Sequence, residues 1–166
     1  KNNWLKYGGY WYHFDEDGVM QTDVAEIDGK YYYFGTENDG RMKTGWQKID
    51  NTWAYLGADG AARTGWQKIG SYWYYLGEYG EMETDLRNID GGLYYLGGDG
   101  AMRTGWQQVS GDWYYFNASG AAVSGWLQLG SYWYYFGEDH KMVKNTIKEL
   151  DGKKYAFNSD GVMLSG

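Results

Sequence analysis

The chain has 166 residues with no proline or cysteine, 27 glycines, 10 tryptophans, 19 tyrosines and 5 phenylalanines, so aromatic residues make up 20% of it. Without cysteine there is no disulfide scaffold, thiol catalysis or cysteine-ligated metal. A formal charge of −7 argues against binding nucleic acid or an anionic membrane surface by counterion release and suits a cationic or neutral ligand.

No run of about eighteen apolar residues is present, so no membrane insertion through a helix is expected. The start, Lys1-Asn2-Asn3-Trp4, is neither a signal peptide nor an initiator methionine, as expected of a mature or excised piece. Self-similarity then organises the whole chain. Thr44-Gly45-Trp46-Gln47-Lys48-Ile49 returns as Thr64-Gly65-Trp66-Gln67-Lys68-Ile69 and again as Thr104-Gly105-Trp106-Gln107-Gln108-Val109, a period of twenty residues. Weaker copies begin at Asn2, Thr22, Thr84, Ser124 and Asn145. Residues 1–166 therefore read as one module of about eight repeats, starting near 2, 22, 44, 64, 84, 104, 124 and 145, with no linker between them.

Each repeat holds two short runs around a turn pair, as in Trp106-Gln107-Gln108-Val109, Ser110-Gly111, Asp112-Trp113-Tyr114-Tyr115-Phe116. Aromatic and β-branched residues favour strands, and Asp-Gly or Ser-Gly pairs suit a two-residue hairpin turn. One such hairpin is marginal alone, so successive hairpins must stack and bury one another's rings. The predicted fold is all-β, a stack of β-hairpin repeats forming an elongated β-solenoid.

A two-residue turn at Ser110-Gly111 pairs Val109 with Asp112, Gln108 with Trp113, Gln107 with Tyr114 and Trp106 with Tyr115. Alternation then places Trp106, Trp113 and Tyr115 on one face, and Val109, Tyr114 and Phe116 on the other, which is the predicted core face. The first cluster recurs as Trp46/Trp53/Tyr55, Trp66/Trp73/Tyr75 and Trp126/Trp133/Tyr135. Grouped ring faces attract a cation, and a quaternary ammonium above all, because it cannot hydrogen-bond and is cheap to desolvate. The competing reading is that these rings are further core. Two repeats lose the tryptophan pair without breaking the period: Val24 with Tyr31, and Leu86 with Leu93.

The pattern Thr-Gly-Trp, Gln-Lys-Ile, Trp-Tyr-Tyr-Phe/Leu, Gly-x-Met resembles the choline-binding repeats of pneumococcal-type surface proteins, cell-wall hydrolases and phage lysins. The resemblance implies a left-handed superhelix with choline held between consecutive repeats by two tryptophans of one, a tyrosine of the next, and often a methionine. Carried over, it implies a first site at Trp4, Trp11 and Tyr33 with Met20. It implies a second at Trp46, Trp53 and Tyr75, with Ala62 in the methionine column. A third falls at Trp66, Trp73 and Tyr95 with Met82, and a fourth at Trp106, Trp113 and Tyr135, with Ala122 in that column. The junctions at Val24/Tyr31/Tyr55 and Leu86/Leu93/Tyr115 are expected to be atypical or empty. Trp126 and Trp133 would meet Ala156 rather than a tyrosine, leaving with Met142 a weak site. The implied function is non-covalent attachment to the bacterial cell wall, at the extracellular cell surface, through the choline of teichoic and lipoteichoic acids. Choline is a ligand here, and no cofactor is implied. Homodimer formation is left open.

Other chemistries fit less well. His13 and His140 are the only histidines, no nucleophile–base grouping appears, and the chain is not expected to be an enzyme, although it could serve as the targeting module of a wall hydrolase. Acidic loops such as Asp15-Glu16-Asp17-Gly18 lack a calcium-binding ligand set, so turn formation is the better reading and no metal is expected. Asn117-Ala118-Ser119 fits a glycosylation sequon but also suits a turn. His140 replaces the closing-loop glycine, so an altered turn is expected there. Carbohydrate binding, to a glucan or host glycan, and a spacer or protein-interaction solenoid remain the alternative functions.

Overall fold

The computed structural model describes residues 3–164; the repeat start predicted at Asn2 lies outside them. Among the described residues every regular element is a strand, and the strands pair into eight consecutive antiparallel hairpins. The chain divides into two compact units, one ending at Glu83 and the other beginning at Thr84. The first holds β1 (Asn3–Tyr7) with β2 (Tyr10–Phe14), β3 (Val24–Ile27) with β4 (Lys30–Tyr33), β5 (Gly45–Ile49) with β6 (Thr52–Leu56), and β7 (Gly65–Ile69) with β8 (Tyr72–Leu76). The second holds β9 (Asp85–Ile89) with β10 (Gly92–Leu96), β11 (Gly105–Val109) with β12 (Asp112–Phe116), β13 (Gly125–Leu129) with β14 (Tyr132–Phe136), and β15 (Thr146–Leu150) with β16 (Lys153–Phe157). A short β17 (Met163–Leu164) joins β16.

The register is the predicted one, with Trp106 opposite Tyr115, Gln107 opposite Tyr114, Gln108 opposite Trp113 and Val109 opposite Asp112. The turns explain it. Ser110 and Gly111 have φ of 51° and 88°, and Asp50 and Asn51 have 46° and 66°, the double positive φ of a type I′ turn whose twist matches the strands.

A phenylalanine or leucine at the end of the second strand, or just past it in the case of Phe34, carries the core. Phe34, Leu56, Leu76, Leu96, Phe116, Phe136 and Phe157 are all buried, each fully buried side chain contributing about 1.5–3 kcal/mol. Past that residue the chain turns through a closing loop and returns. Its Met or Ala pairs with the core residue of its own hairpin, as in Phe14 with Met20, Leu56 with Ala62, and Phe136 with Met142. The same returning residue reaches the preceding hairpin. Met42, Ala62 and Met82 donate their N–H to the carbonyls of Trp11, Tyr31 and Trp53 at 2.8, 2.8 and 2.7 Å. In the second unit Ala122 and Met142 donate to Leu93 and Trp113, both at 2.8 Å. Within each unit, these backbone hydrogen bonds fix where one hairpin sits on the one before it.

The closing loops are self-contained. Asp15 Oδ1 accepts the N–H groups of Asp17 and Val19 at 3.0 and 2.8 Å, and Asn117 Oδ1 accepts those of Ser119 and Ala121 at 2.9 and 3.1 Å. Among the described residues no three His, Asp or Glu side chains converge as a metal site. The turn at His140 differs from expectation because it is unaltered. His140 keeps a left-handed φ of 63°, and its N–H donates to Gly137 at 3.0 Å, as Gly120 does to Asn117 at 2.9 Å.

Gly60 shows why its loop position favours glycine. Its φ is 81°, and a Cβ there would lie 2.2 Å from Met42 Sδ. Gly60→Ala is expected to cost about 1–3 kcal/mol and to push Met42 out of place, seen as a lower denaturant midpoint.

Candidate functional site: aromatic cages between hairpins

Hairpin register brings the tryptophans together. Trp106 lies opposite Tyr115 and Gln108 opposite Trp113, so the two indoles are diagonal neighbours on one face. Their centroids are 6.1 Å apart at 85°. The same perpendicular pair forms at Trp4/Trp11 (6.4 Å, 85°), Trp46/Trp53 (6.5 Å, 88°) and Trp126/Trp133 (6.2 Å, 85°). In three of the pairs the second indole is the open one, while Trp113 is half-buried like Trp106. Trp11, Trp53 and Trp133 are 42%, 43% and 39% exposed.

The third ring comes from the next hairpin, one residue earlier than expected. Trp4 meets Tyr32 at 5.1 Å, Trp46 meets Tyr74 at 4.9 Å, Trp106 meets Tyr134 at 5.0 Å and Trp126 meets Tyr155 at 4.8 Å. Tyr33, Tyr75 and Tyr135, expected in these places, belong to the opposite strand face. Tyr75 and Tyr135 pack edge-on against Trp66 and Trp126 of their own hairpins, at 5.3 and 5.2 Å, and Tyr33 lies opposite Val24. The cause is stacking. The tryptophan face of one hairpin lies against the other face of the next, so the ring it meets has the opposite alternation phase.

The methionine also comes from the following repeat. Met42 lines a cavity with Trp4, Trp11 and Tyr32; Met142 lines one with Trp106, Trp113 and Tyr134; Met163 lines one with Trp126, Trp133 and Tyr155. At the Trp46/Trp53 pair, Met82 donates its N–H to Trp53 at 2.7 Å and so occupies the same column. Met20 instead pairs with Phe14, its thioether where a Gly40 Cβ would be. Met82 and Met142 thus serve pairs other than those expected. Trp66 and Trp73 lie in the first unit and Tyr95, stacked on Phe116 at 6.1 Å, in the second.

These reassignments remove the apparent exceptions. Ala62 and Ala122 do not face tryptophan pairs; they bond to Tyr31 and Leu93, at the two junctions that lack one. There the ring column holds Ala54 and Tyr114, both buried. The junction at Trp126/Trp133 is complete, since Tyr155 rather than Ala156 faces it. The shift could have been read from alternation alone, had stacking been taken as face against opposite face.

The three cavities, of 440, 360 and 350 Å³ at Trp4, Trp106 and Trp126, fall within the usual size of ligand pockets, about 300–1,000 Å³. Burial raises the pKa of the Tyr32 phenol, with Asp59 and Asp28 adding and Arg63 opposing, so its ring stays neutral. Three ring faces and a thioether make a box suited to a soft cation without N–H groups. Lys6 Nζ lies 5.7 Å from the Trp11 centroid at the first cage, and no such cation sits over the other three pairs among the described residues.

The choline-binding repeat model matches six overlapping stretches, 2–44, 24–64, 43–84, 83–124, 103–146 and 123–166. The chain belongs to the choline-binding repeat family. Its fold is similar to that of CbpJ from Streptococcus pneumoniae TIGR4, with 35% identity and a TM-score of 0.88 over 99% of this chain and 58% of that one. It is also similar to choline binding protein F of Streptococcus pneumoniae, solved in the presence of a peptidoglycan analogue, with 32% identity and a TM-score of 0.87 over 99% and 58%. The modular autolysin LytC of the same species matches at 26% identity and a TM-score of 0.65, over 99% of this chain and 42% of that one. The chain thus spans about three fifths of the first two relatives. No curated protein sequence matches it.

Within this choline-binding module, the first cage has a distinctive neighbour. His13 takes the column filled elsewhere by Tyr55 and Tyr115, packs 4.9 Å from Trp4, and is buried with Nδ1 unpartnered. Burial holds its pKa below the ordinary value, opposed by Asp28 and Asp15. The unfolded imidazole therefore takes up a proton first. Stability is present above about pH 6.5 and falls as pH drops below it toward the folded value. His13→Tyr is expected to abolish this loss, measured as the difference in unfolding midpoint between about pH 7.5 and 5.5.

Proposed function

We propose that this chain attaches its protein non-covalently to the bacterial cell wall, at the extracellular surface, by binding choline groups of teichoic and lipoteichoic acids. The cages at Trp4, Trp46, Trp106 and Trp126 hold the choline. The observation that carries this reading is the co-occurrence of parts. In each unit a tryptophan pair meets a tyrosine and a methionine of the next repeat, and where the pair is missing the methionine column holds Ala62 or Ala122. Plain packing does not require the tryptophan pair and the methionine to come and go together.

The energetics favour many sites on one polymer. Cation–π attraction of about 0.5–2 kcal/mol per ring gives a three-ring cage a few kcal/mol, and about 4 kcal/mol corresponds to a millimolar Kd. One such site releases its ligand quickly. Several sites on a chain bearing many choline groups gain avidity, because each bound group holds the next at high effective concentration. The acidic balance of the module suits a cationic group. Any wall-cleaving or effector activity would lie in further segments of the protein.

Three measurements test this. Titration calorimetry is expected to show saturable heat with choline at several sites of about millimolar Kd and none with glucan; the reverse result sinks the proposal. In a crystal soaked in choline, density is expected at the Trp4, Trp46, Trp106 and Trp126 cages and not at Leu86/Leu93. Replacing Trp46 and Trp53 by alanine should weaken retention on a quaternary-amine resin while leaving the remaining cages in place.

A further inference from the structure

The cavity at Trp106 and Trp113 has a wall that its rings and thioether do not account for. Ser159 and Asp160, in the closing loop two repeats along, line it. The corresponding loop brings Ala58 and Asp59 to the Trp4/Trp11 cavity. Three consecutive repeats thus build each of these sites.

The two aspartates keep different company. Asp59 is ion-paired with Arg63, four residues on, at 3.0 Å, and its Oδ1 accepts the Ala61 N–H at 3.2 Å. Asp99 is held in the same way by Arg103 at 2.8 Å. Four residues after Asp160 stands Leu164. The loop turn is made instead by Asn158 Oδ1, which accepts the N–H groups of Asp160 and Val162 at 3.0 and 2.9 Å. Among the described residues the Asp160 carboxylate has no ion pair and no hydrogen bond of its own. The Trp126 cavity, lined by Trp126, Trp133, Tyr155 and Met163, has no carboxylate in its wall among the described residues.

We infer that Asp160 is a specificity-determining residue of the Trp106 cage, favouring a ligand with a bare quaternary ammonium over one that carries a phosphate beside it. This rests on the cation-binding reading above. A carboxylate without a counterion at the mouth of an apolar box attracts the onium group against the rings. It also repels an anionic substituent, which must leave through the same mouth. At the Trp4 cage the Arg63 guanidinium offsets the equivalent charge. The cages are therefore unequal, and the Trp106 cage separates choline from phosphocholine more sharply than the Trp126 cage does.

The test follows the ¹⁵N-indole signals of Trp106 and Trp113, with those of Trp126 and Trp133 as the internal comparison, during titrations with choline and with phosphocholine. In the unsubstituted protein the ratio of the two Kd values at the Trp106 cage should exceed that at the Trp126 cage by about two- to five-fold at low salt. Asp160→Asn should remove the excess and leave the Trp126 cage unchanged. Leu164→Arg, which gives Asp160 the partner that Asp59 has, should reduce it with the carboxylate retained. Equal ratios at the two cages, or a difference that survives Asp160→Asn, overturn the inference. Indole signals that ignore choline in the unsubstituted protein overturn the cation reading itself, a result seen before any substitution is made.

Discussion

A hairpin of two short strands cannot shield its own rings, and within each unit one hairpin is completed by the next stacked against it. The stack depends on two linked contacts. A phenylalanine or leucine at the end of the second strand is buried, and the returning Met or Ala gives its N–H to the preceding hairpin, as Met142 does to Trp113 at 2.8 Å. The first supplies the hydrophobic gain and the second sets the offset, because a buried N–H without a partner is costly. Every cage is a by-product of this arrangement. The tryptophan face is left partly open because the neighbouring hairpin meets it with one tyrosine and one methionine rather than a full layer.

This division of labour keeps structure and ligand chemistry on separate columns. The core column is apolar in every hairpin, from Phe34 to Phe157, while the tryptophan columns vary between Trp, Val, Leu, Tyr, Ile and Lys. At the Leu86/Leu93 junction the fold persists and Tyr114 is buried. The module therefore carries hairpins that only hold the stack beside hairpins that also build a cage.

Much of this was legible in the sequence because it is local. The twenty-residue period, the two-residue turns and the Trp106–Tyr115 register follow from turn chemistry and alternation within one hairpin. The tryptophan pairs follow from that register too. What the sequence did not disclose was how one hairpin meets the next. Tyr75 and Tyr135 share a face with the tryptophans of their own hairpins, and Tyr33 shares one with Val24 of its own, but stacking presents the opposite face, and so Tyr32, Tyr74 and Tyr134 enter the cages. The methionine offset has the same origin. Met42 is more distant in sequence from Trp11 than Met20 is, yet the returning strand carries it there. A repeat period gives spacing along the chain and not the direction in which neighbours face.

A cage divided between repeats has an evolutionary consequence. No single repeat owns a site, so a change in one repeat alters a property of a pair. Converting the Leu86/Leu93 junction into a cage would require tryptophans at both leucines and a methionine at Ala122, while Tyr114 gave up its present burial. Intermediates would lose packing before they gained a ligand, so cages of this design are more readily spread by duplicating adjacent repeats together than by point substitution.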